Sequence, residues 1–269
     1  MTVRGGLRVF VVVVMIIAGQ SLLQPRAEAA TNVEVLQLNM MGLISQTSAG
    51  RIDGQNYVMD RMFATSPLVV SLNEVCLSQV AYLANHVPGY TAVYLPSFAR
   101  TGSSSDTDCR NSAGKAEYGN AILIRLTYQG RVDWFYSATD SGSTRNMVCA
   151  KSSYIFIVYV GCSTHLSSPP PASQMAENVY VVSAQSGTSF SLGDFNTSRS
   201  TLLANAPAYS TNFREADITS PKRATGDAGG AIDFVFGKKA AMTVASNALI
   251  SADLSFSDHR SVRGFYSVA

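Results

Sequence analysis

The chain has 269 residues, of which 46% are hydrophobic and 14% charged, as in an ordinary soluble globular protein with enough apolar material for a large core. Its formal net charge is only +2, which argues against binding to nucleic acid through a large basic excess.

The first thirty residues differ in kind from the rest. Arg4 and Arg8 precede an apolar run at Val9–Ala18, and Ala27 and Ala29 form the small-x-small pattern of a signal peptidase site. This pattern predicts a cleaved secretory signal at residues 1–29 and a secreted domain at residues 30–269. A membrane anchor is the alternative, but the run is far shorter than the ~20 residues that span a bilayer.

Export would change the net charge of the mature chain and the redox environment of its cysteines. Cleavage after residue 29 leaves 17 basic and 17 acidic residues, so the mature chain is formally neutral. The four cysteines then enter an oxidising compartment, where they predict two disulfides among three possible pairings. We favour Cys76 with Cys109 and Cys149 with Cys162, since each pair brackets a strand-like segment. Metal ligation by these cysteines is less favoured because no Cys-x-x-Cys spacing occurs.

Short apolar runs bounded by Gly, Ser, Pro or Asn predict buried or half-buried strands. In chain order they are Val33–Leu38, Leu68–Leu72, Tyr90–Leu95, Ala121–Ile124, Ile155–Val160, Ser189–Leu192, Ile232–Phe236, Met242–Ala245 and Val262–Val268. Helical apolar spacing occurs in three segments, Gln55–Ala64, Ser78–His86 and Ala172–Gln185. Thr101–Gly114, Ser137–Thr144 and Ser167–Ser173 have the composition of solvent-facing loops. No stretch resembles a domain linker, so the elements predict one layered α/β body.

Polar and ionisable residues lie at the ends of these runs. They are Asn39, Glu74, His165, Asp194, Asn196, Asp258 and His259. Strand ends can converge on one edge of a sheet, and this set includes two of the chain's three histidines. Oxygen ligands and imidazoles together suit a hard cation and proton transfer.

Seven short motifs appear in the order found in the endonuclease/exonuclease/phosphatase superfamily. They are Leu38-Asn39-Met40, Leu72-Asn73-Glu74-Val75, Gly119-Asn120-Ala121-Ile122, Thr164-His165-Leu166, Gly193-Asp194-Phe195-Asn196, Ile232-Asp233-Phe234 and Ser257-Asp258-His259. Together they cover essentially the whole mature chain, which resembles a deoxyribonuclease I-like protein. The resemblance implies a four-layer α/β sandwich, in which two packed, mainly antiparallel β-sheets are flanked by helices.

The resemblance also implies roles for individual residues. Glu74, with Asn39 and Asp258, would hold Mg²⁺, with Mn²⁺ or Ca²⁺ as alternatives. His165 and His259 would flank the scissile phosphate, and Asp233 would orient the ring of His259.

Four further residues complete the implied site. Asp194 would position the nucleophilic water, and Asn196 would hold a phosphate oxygen. Glu117 would pair with the first histidine, and Arg145 would meet a phosphate oxygen.

Two departures from the family pattern bear on the substrate. Asn73 stands where the family more often has Gln, and Cys76 replaces a basic residue that contacts DNA in deoxyribonuclease I. The second departure makes double-stranded DNA a weaker expectation than metal-dependent hydrolysis itself. The leading prediction is a secreted, metal-dependent phosphodiesterase, acting as a monomer without a stable protein partner, with nucleic acid as the first substrate class.

Two alternatives share the fold. A phospholipid head-group hydrolase of the sphingomyelinase type suits a secreted, neutral chain equally well. A catalytically silent binding module would lack a histidine or carboxylate of the site, and none is missing. The inositol polyphosphate phosphatase branch is disfavoured because its Cys-Asp-Arg motif is replaced by Ile232-Asp233-Phe234.

Overall fold

The computed structural model describes residues 31–40, 48–97, 109, 118–138, 144–252, 254–255 and 257–268. Twelve strands are present in these residues: β1 Thr31–Asn39, β2 Val69–Cys76, β3 Tyr90–Pro96, β4 Tyr118–Arg125, β5 Thr127–Phe135, β6 Asn146–Tyr154, β7 Ile157–His165, β8 Thr188–Asp194, β9 Phe213–Glu215, β10 Asp233–Lys238, β11 Met242–Ile250 and β12 Val262–Val268. The helices are α1 Ser48–Thr65, α2 Leu77–His86, α3 Ala172–Ser183, α4 Arg199–Asn205 and α5 Ala208–Asn212.

The strands form two six-stranded sheets. Sheet 1 has the order β11-β12-β1-β2-β4-β3, and sheet 2 has the order β5-β6-β7-β8-β10-β9. Each sheet contains one parallel pair, β1 with β2 and β7 with β8, and the other pairs are antiparallel. Parallel neighbours end at the same edge of a sheet, so Asn39 lies beside Asn73 and His165 beside Asp194.

Apolar side chains separate the layers. One core cluster joins the two sheets, with Val35 and Ile122 from sheet 1 meeting Phe190 and Val235 from sheet 2. A second cluster packs α3, α4 and α5 on the outer face of sheet 2, and a third packs α1 and α2 on sheet 1. This arrangement confirms the expected four-layer α/β sandwich. No helix in the described part of the chain is long and apolar enough to cross a bilayer.

Several boundaries differ from the sequence-based expectation. The predicted strand Ile155–Val160 is wrong at its start, because Ile155 and Phe156 form the two-residue turn between β6 and β7. Strands β5, β6 and β9 and the short helices α4 and α5 were not predicted. The predicted loop Thr101–Gly114 lies outside the described residues except for Cys109.

Both favoured disulfides are present. Cys76 is bonded to Cys109, and Cys149 is bonded to Cys162. Cys149 and Cys162 face each other in register across β6 and β7, with their Cα atoms 4.0 Å apart. The second bond therefore joins two neighbouring strands within sheet 2.

Replacing Cys149 with Ser should lower the free energy of unfolding by about 3 kcal/mol, because the open chain gains conformational entropy when this short loop is released. Denaturant unfolding of the oxidised protein measures this loss. Cys162→Ser should give the same loss, and the double variant should add little to either. Equal midpoints for wild type and both single variants would contradict a stabilising bond.

Candidate active site

Strand register aligns polar residues of sheet 2 in one row. His165 at the end of β7 pairs with Asp194 at the end of β8, and Asp194 pairs with Asp233 at the start of β10. Asn146 at the start of β6 pairs with His165 on its other side. Adjacent strands lie about 4.8 Å apart, so these side chains are concentrated at one edge of the sheet.

A β-bulge positions Glu74 in sheet 1. Asn73 and Glu74 together face the single residue Asn120 across the β2–β4 pair, and Glu74 has the left-handed φ of 49°. A bulge redirects the side chains of its strand, and a non-glycine residue in this conformation is strained. Glu74 Oε1 consequently lies 3.4 Å from Asn39 Nδ2 and 3.7 Å from His165 Nε2.

Asp194 lies at the centre of the cluster. Its Oδ2 accepts a hydrogen bond from Asn39 Nδ2 at 3.0 Å, and it lies 3.4 Å from His165 Nε2 and 3.7 Å from His259 Nε2. Burial raises the pKa of the Asp194 carboxyl to about 7, and the negative charge of Asp233 acts in the same direction. A carboxyl with this pKa can exchange a proton near neutral pH.

Gly193 allows β8 to approach β7 closely beside the site. Its φ is 156°, and a Cβ atom at this position would overlap the carbonyl oxygen of Thr164. Glycine is therefore required where the chain delivers Asp194 next to His165.

His259 is held by a carboxylate and by its own loop. Its Nδ1 donates to Asp233 Oδ2 at 2.7 Å, and its backbone N–H donates to Ser257 Oγ, which in turn donates to the carbonyl of Asn39. Burial alone would lower the pKa of His259, but the charge and hydrogen bond of Asp233 outweigh it and raise the pKa to about 10. The ring is therefore an imidazolium at neutral pH.

His165 has the opposite electrostatic environment. It is buried, and Arg145 Nη1 lies 2.9 Å from its Nδ1 and 2.8 Å from its Nε2. Burial and the positive charges of Arg145 and His259 hold the pKa of His165 well below its usual range. The two histidines of the site thus carry different charges at the same pH.

The remaining predicted residues surround this centre. The backbone N–H of Asn196 donates to Asp194 Oδ1 at 2.9 Å, and its side-chain amide donates to the carbonyl of Leu166. Asp258 Oδ1 lies 3.9 Å from His259 Nε2. Glu117 lies outside the described residues.

Two groups of donor atoms are suitable for a cation. Oxygen and nitrogen atoms of Asp194, Asp233 and His259 lie within 4.8 Å of one another, but the short Asp233–His259 hydrogen bond already joins two of these residues. Glu74 is the other centre. Burial raises the pKa of Glu74 even though Asn39 donates to it and Arg145 is near, so this carboxylate lacks sufficient compensating charge.

A network of buried amide side chains lies between the two sheets, next to the site. Asn73 Oδ1 accepts from Gln37 Nε2 at 2.7 Å and from the backbone N–H of Asp194 at 2.9 Å. Asn73 Nδ2 donates to Asn120 Oδ1 at 2.8 Å and to the Thr164 carbonyl at 2.9 Å. This single side chain links both sheets.

The sequence motifs alone gave no functional role to Asn73, nor to Gln37, Asn120 or Asn146. Asn120 donates to both the side-chain and backbone oxygens of Asn146, which continues the network to the start of β6. The sequence does contain a signal for these residues, because Asn and Gln side chains within otherwise apolar strands must find hydrogen-bond partners when they are buried.

A family profile described as Endonuclease/Exonuclease/phosphatase family matches residues 36–259. This range includes all the residues of the cluster described above. No curated protein sequence matches the chain.

Solved structures show the same fold. Danio rerio TDP2, in a complex with single-strand DNA product, is 17% identical with a TM-score of 0.67, and the match covers 88% of this chain and 100% of that one. The human Nocturnin catalytic domain with bound sulfate is 16% identical with a TM-score of 0.66, covering 90% and 97% respectively. An endonuclease/exonuclease/phosphatase from Bacteroides vulgatus is 17% identical with a TM-score of 0.66, covering 89% and 100%.

Proposed function

This chain belongs to the endonuclease/exonuclease/phosphatase family, and we propose that it is a secreted, divalent-metal-dependent phosphodiesterase with nucleic acid as its substrate class. Family members are hydrolases that act on phosphoester bonds. The observation that carries the proposal is the convergence of Asp194 with His165 and His259, whose Nε2 atoms lie 3.4 Å and 3.7 Å from one carboxylate oxygen.

In the proposed reaction a water molecule attacks phosphorus, the P–O bond to the leaving group breaks, and the leaving oxygen takes up a proton. Asp194 orients the water and accepts its proton, because its carboxyl has a pKa of about 7. His259 is the cationic partner, and its imidazolium stabilises developing negative charge and donates a proton to the leaving oxygen. Asp233 fixes the orientation of that ring.

His165, Arg145 and Asn196 bind the non-bridging phosphate oxygens in this proposal. The low pKa of His165 keeps its ring neutral, so it acts as a hydrogen-bond donor rather than as a second acid. Arg145 contributes the positive charge beside it, and Asn196 contributes its amide group. His259 is thus the proton donor and His165 a phosphate ligand, because the two histidines have different charges at neutral pH.

The donor set fits a hard divalent cation. Glu74, Asn39 and Asp258 would hold it through oxygen atoms, which Mg²⁺ prefers, and the raised pKa of Glu74 identifies a buried carboxylate whose charge such an ion would balance. When bound, the cation supplies Lewis-acid stabilisation of the phosphoryl oxygens. Mn²⁺ and Ca²⁺ have the same preference for oxygen ligands.

Three observations support the remaining parts of the proposal. The two disulfides fit an oxidising compartment and therefore export, as do the signal-like residues 1–29. A nucleic-acid substrate is supported by the structural similarity to TDP2, whose structure contains a single-strand DNA product.

The proposal is tested by incubating the purified protein with plasmid DNA, single-stranded RNA, sphingomyelin and a bis-aryl phosphodiester, each with Mg²⁺ or with EDTA. We expect hydrolysis of the bis-aryl ester and of nucleic acid in Mg²⁺ and none in EDTA. Turnover of sphingomyelin alone would replace the substrate class with a phospholipid head group. Turnover that EDTA leaves unchanged would overturn the metal dependence, and no turnover on any substrate would overturn the enzyme assignment.

A further inference from the structure

The turn between β6 and β7 has an unusual composition. Tyr154 pairs with Ile157, so the turn consists of Ile155 and Phe156 alone. Their side chains are 72% and 95% exposed, and Tyr154 beside them is 56% exposed. Three consecutive large apolar or aromatic residues therefore project into solvent at the tip of a hairpin, where polar residues are usual.

The backbone of the turn makes this composition costly. Ile155 has a φ of 54°, a conformation that a β-branched residue adopts only with strain. Glycine is the usual first residue of a two-residue turn with positive φ at that position. The sequence thus has a strained, exposed isoleucine where glycine would be more stable, so the apolar side chain at the tip has a cost in stability.

The hairpin lies at the end of the sandwich opposite the candidate active site, which we call the basal pole and define by residues 31–34, 125–128 and 151–157. Strand β7 runs from Ile157 at this pole to His165 at the site, a length of about 26 Å. A cavity of about 700 Å³ at the pole is lined by Thr31 from sheet 1 and Tyr154 from sheet 2.

The basal pole has more cations than carboxylates, with Arg125 and Lys151 against Glu34. Within its three stretches the one carboxylate is Glu34, which forms an ion pair with Arg263 at 2.7 Å. Arg125 also lines the cavity, where it donates to the carbonyl of Ser66 and lies over the Tyr90 ring, and neither contact cancels its charge. Lys151 on β6 is a second cation, three residues before Tyr154.

We propose that the basal pole is a docking surface for an anionic lipid membrane, with Ile155 and Phe156 entering the interfacial region. Aromatic and aliphatic side chains with neighbouring cations are the combination that binds anionic bilayer surfaces. Docking there would direct the candidate active site away from the bilayer, toward substrates in the medium.

The test is co-sedimentation of the purified protein with phosphatidylcholine vesicles, with and without phosphatidylglycerol, in EDTA so that divalent cations do not bridge protein and lipid. Wild type should bind the phosphatidylglycerol vesicles. The double variant Ile155→Gly/Phe156→Ser should reduce the partition coefficient by about tenfold or more, because two apolar side chains no longer leave water. Its melting temperature should be unchanged or higher, because glycine relieves the strained turn.

Control variants distinguish docking through the basal pole from nonspecific adsorption to lipid. Ile218 is 63% exposed and lies outside the basal pole, so Ile218→Ser should bind as wild type does. Arg125→Gln should weaken binding to phosphatidylglycerol vesicles while leaving the weaker binding to pure phosphatidylcholine unchanged. Wild type that binds neither vesicle, or a double variant that binds as wild type does, would overturn the proposal. So would a hairpin-dependent dimer in place of vesicle binding, since the tip would then serve a second copy of the chain.

Discussion

Replacing His259 with Ala is expected to lower kcat by about 10²- to 10⁴-fold, the range for losing a group that donates a proton and stabilises charge. The reason is geometric and electrostatic. His259 is the residue of the cluster that combines a raised pKa, a 2.7 Å bond to Asp233 and a position 3.7 Å from Asp194. Initial rates on a bis-aryl phosphodiester at saturating Mg²⁺ measure the loss.

His165→Ala should cost a similar factor, because a buried donor beside Arg145 would be lost from the phosphate site. His86→Ala is the matched control. His86 lies on α2, exposed and stacked on Tyr82, and its replacement should leave kcat unchanged. His259→Gln keeps a hydrogen-bond donor near Asp233 without a titrating ring, so it should share the kinetic loss of His259→Ala. Near-wild-type turnover in the variants of His165 and His259 would remove both assignments.

The polar residues that the sequence marks at the ends of apolar runs lie together in the fold, whereas three strands and two short helices were not predicted. Polar residues at the ends of apolar runs are readable, and the parallel pairs β1–β2 and β7–β8 bring such ends together at one edge. Strand β5 was missed because the strands were predicted from continuous apolar runs, whereas its residues alternate between solvent and a half-buried face and Gly130 occupies one of the half-buried positions. Helices α4 and α5 have seven and five residues, too few to show a helical period.

The error at Ile155 has a different origin. An apolar run is read as a continuous strand because exposed apolar residues are not expected at a hairpin tip. Register between β6 and β7 decides where the turn falls, and register is a property of the pairing rather than of the run itself. The position of Glu74 could not be predicted for the same reason, since a β-bulge is defined only by the pairing with the partner strand.

The structural role of Asn73 also depends on the pairing of β2 with β4 and is not visible in the sequence. In the sequence it is a mild departure from the family pattern, an Asn where Gln is more frequent. In the fold it is fully buried and bonded to residues of both sheets, including the backbone of Asp194. A bulge that turns Glu74 toward the site turns its neighbour into the interior, so one local irregularity positions two residues.

Asn73→Ala should therefore lower the free energy of unfolding by about 4 kcal/mol, because several buried polar groups lose their partner at a cost of about 1 to 3 kcal/mol each. It should also lower kcat, since the N–H of Asp194 and the carbonyl of Thr164, next to His165, lose the amide that holds them in place. Urea unfolding and initial rates, both at a temperature where the variant is folded, measure the two effects.

Asn178 provides the control for stability without catalysis. It is equally buried and donates to Tyr136, but it lies on α3, on the outer face of sheet 2. Asn178→Ala should lose stability to a similar extent while the folded protein keeps its kcat. Asn73→Gln retains both the donor and the acceptor and should recover part of the stability and of the rate. If Asn73→Ala and Asn178→Ala instead reduce kcat equally, the network beneath the site stabilises the fold but does not position Asp194.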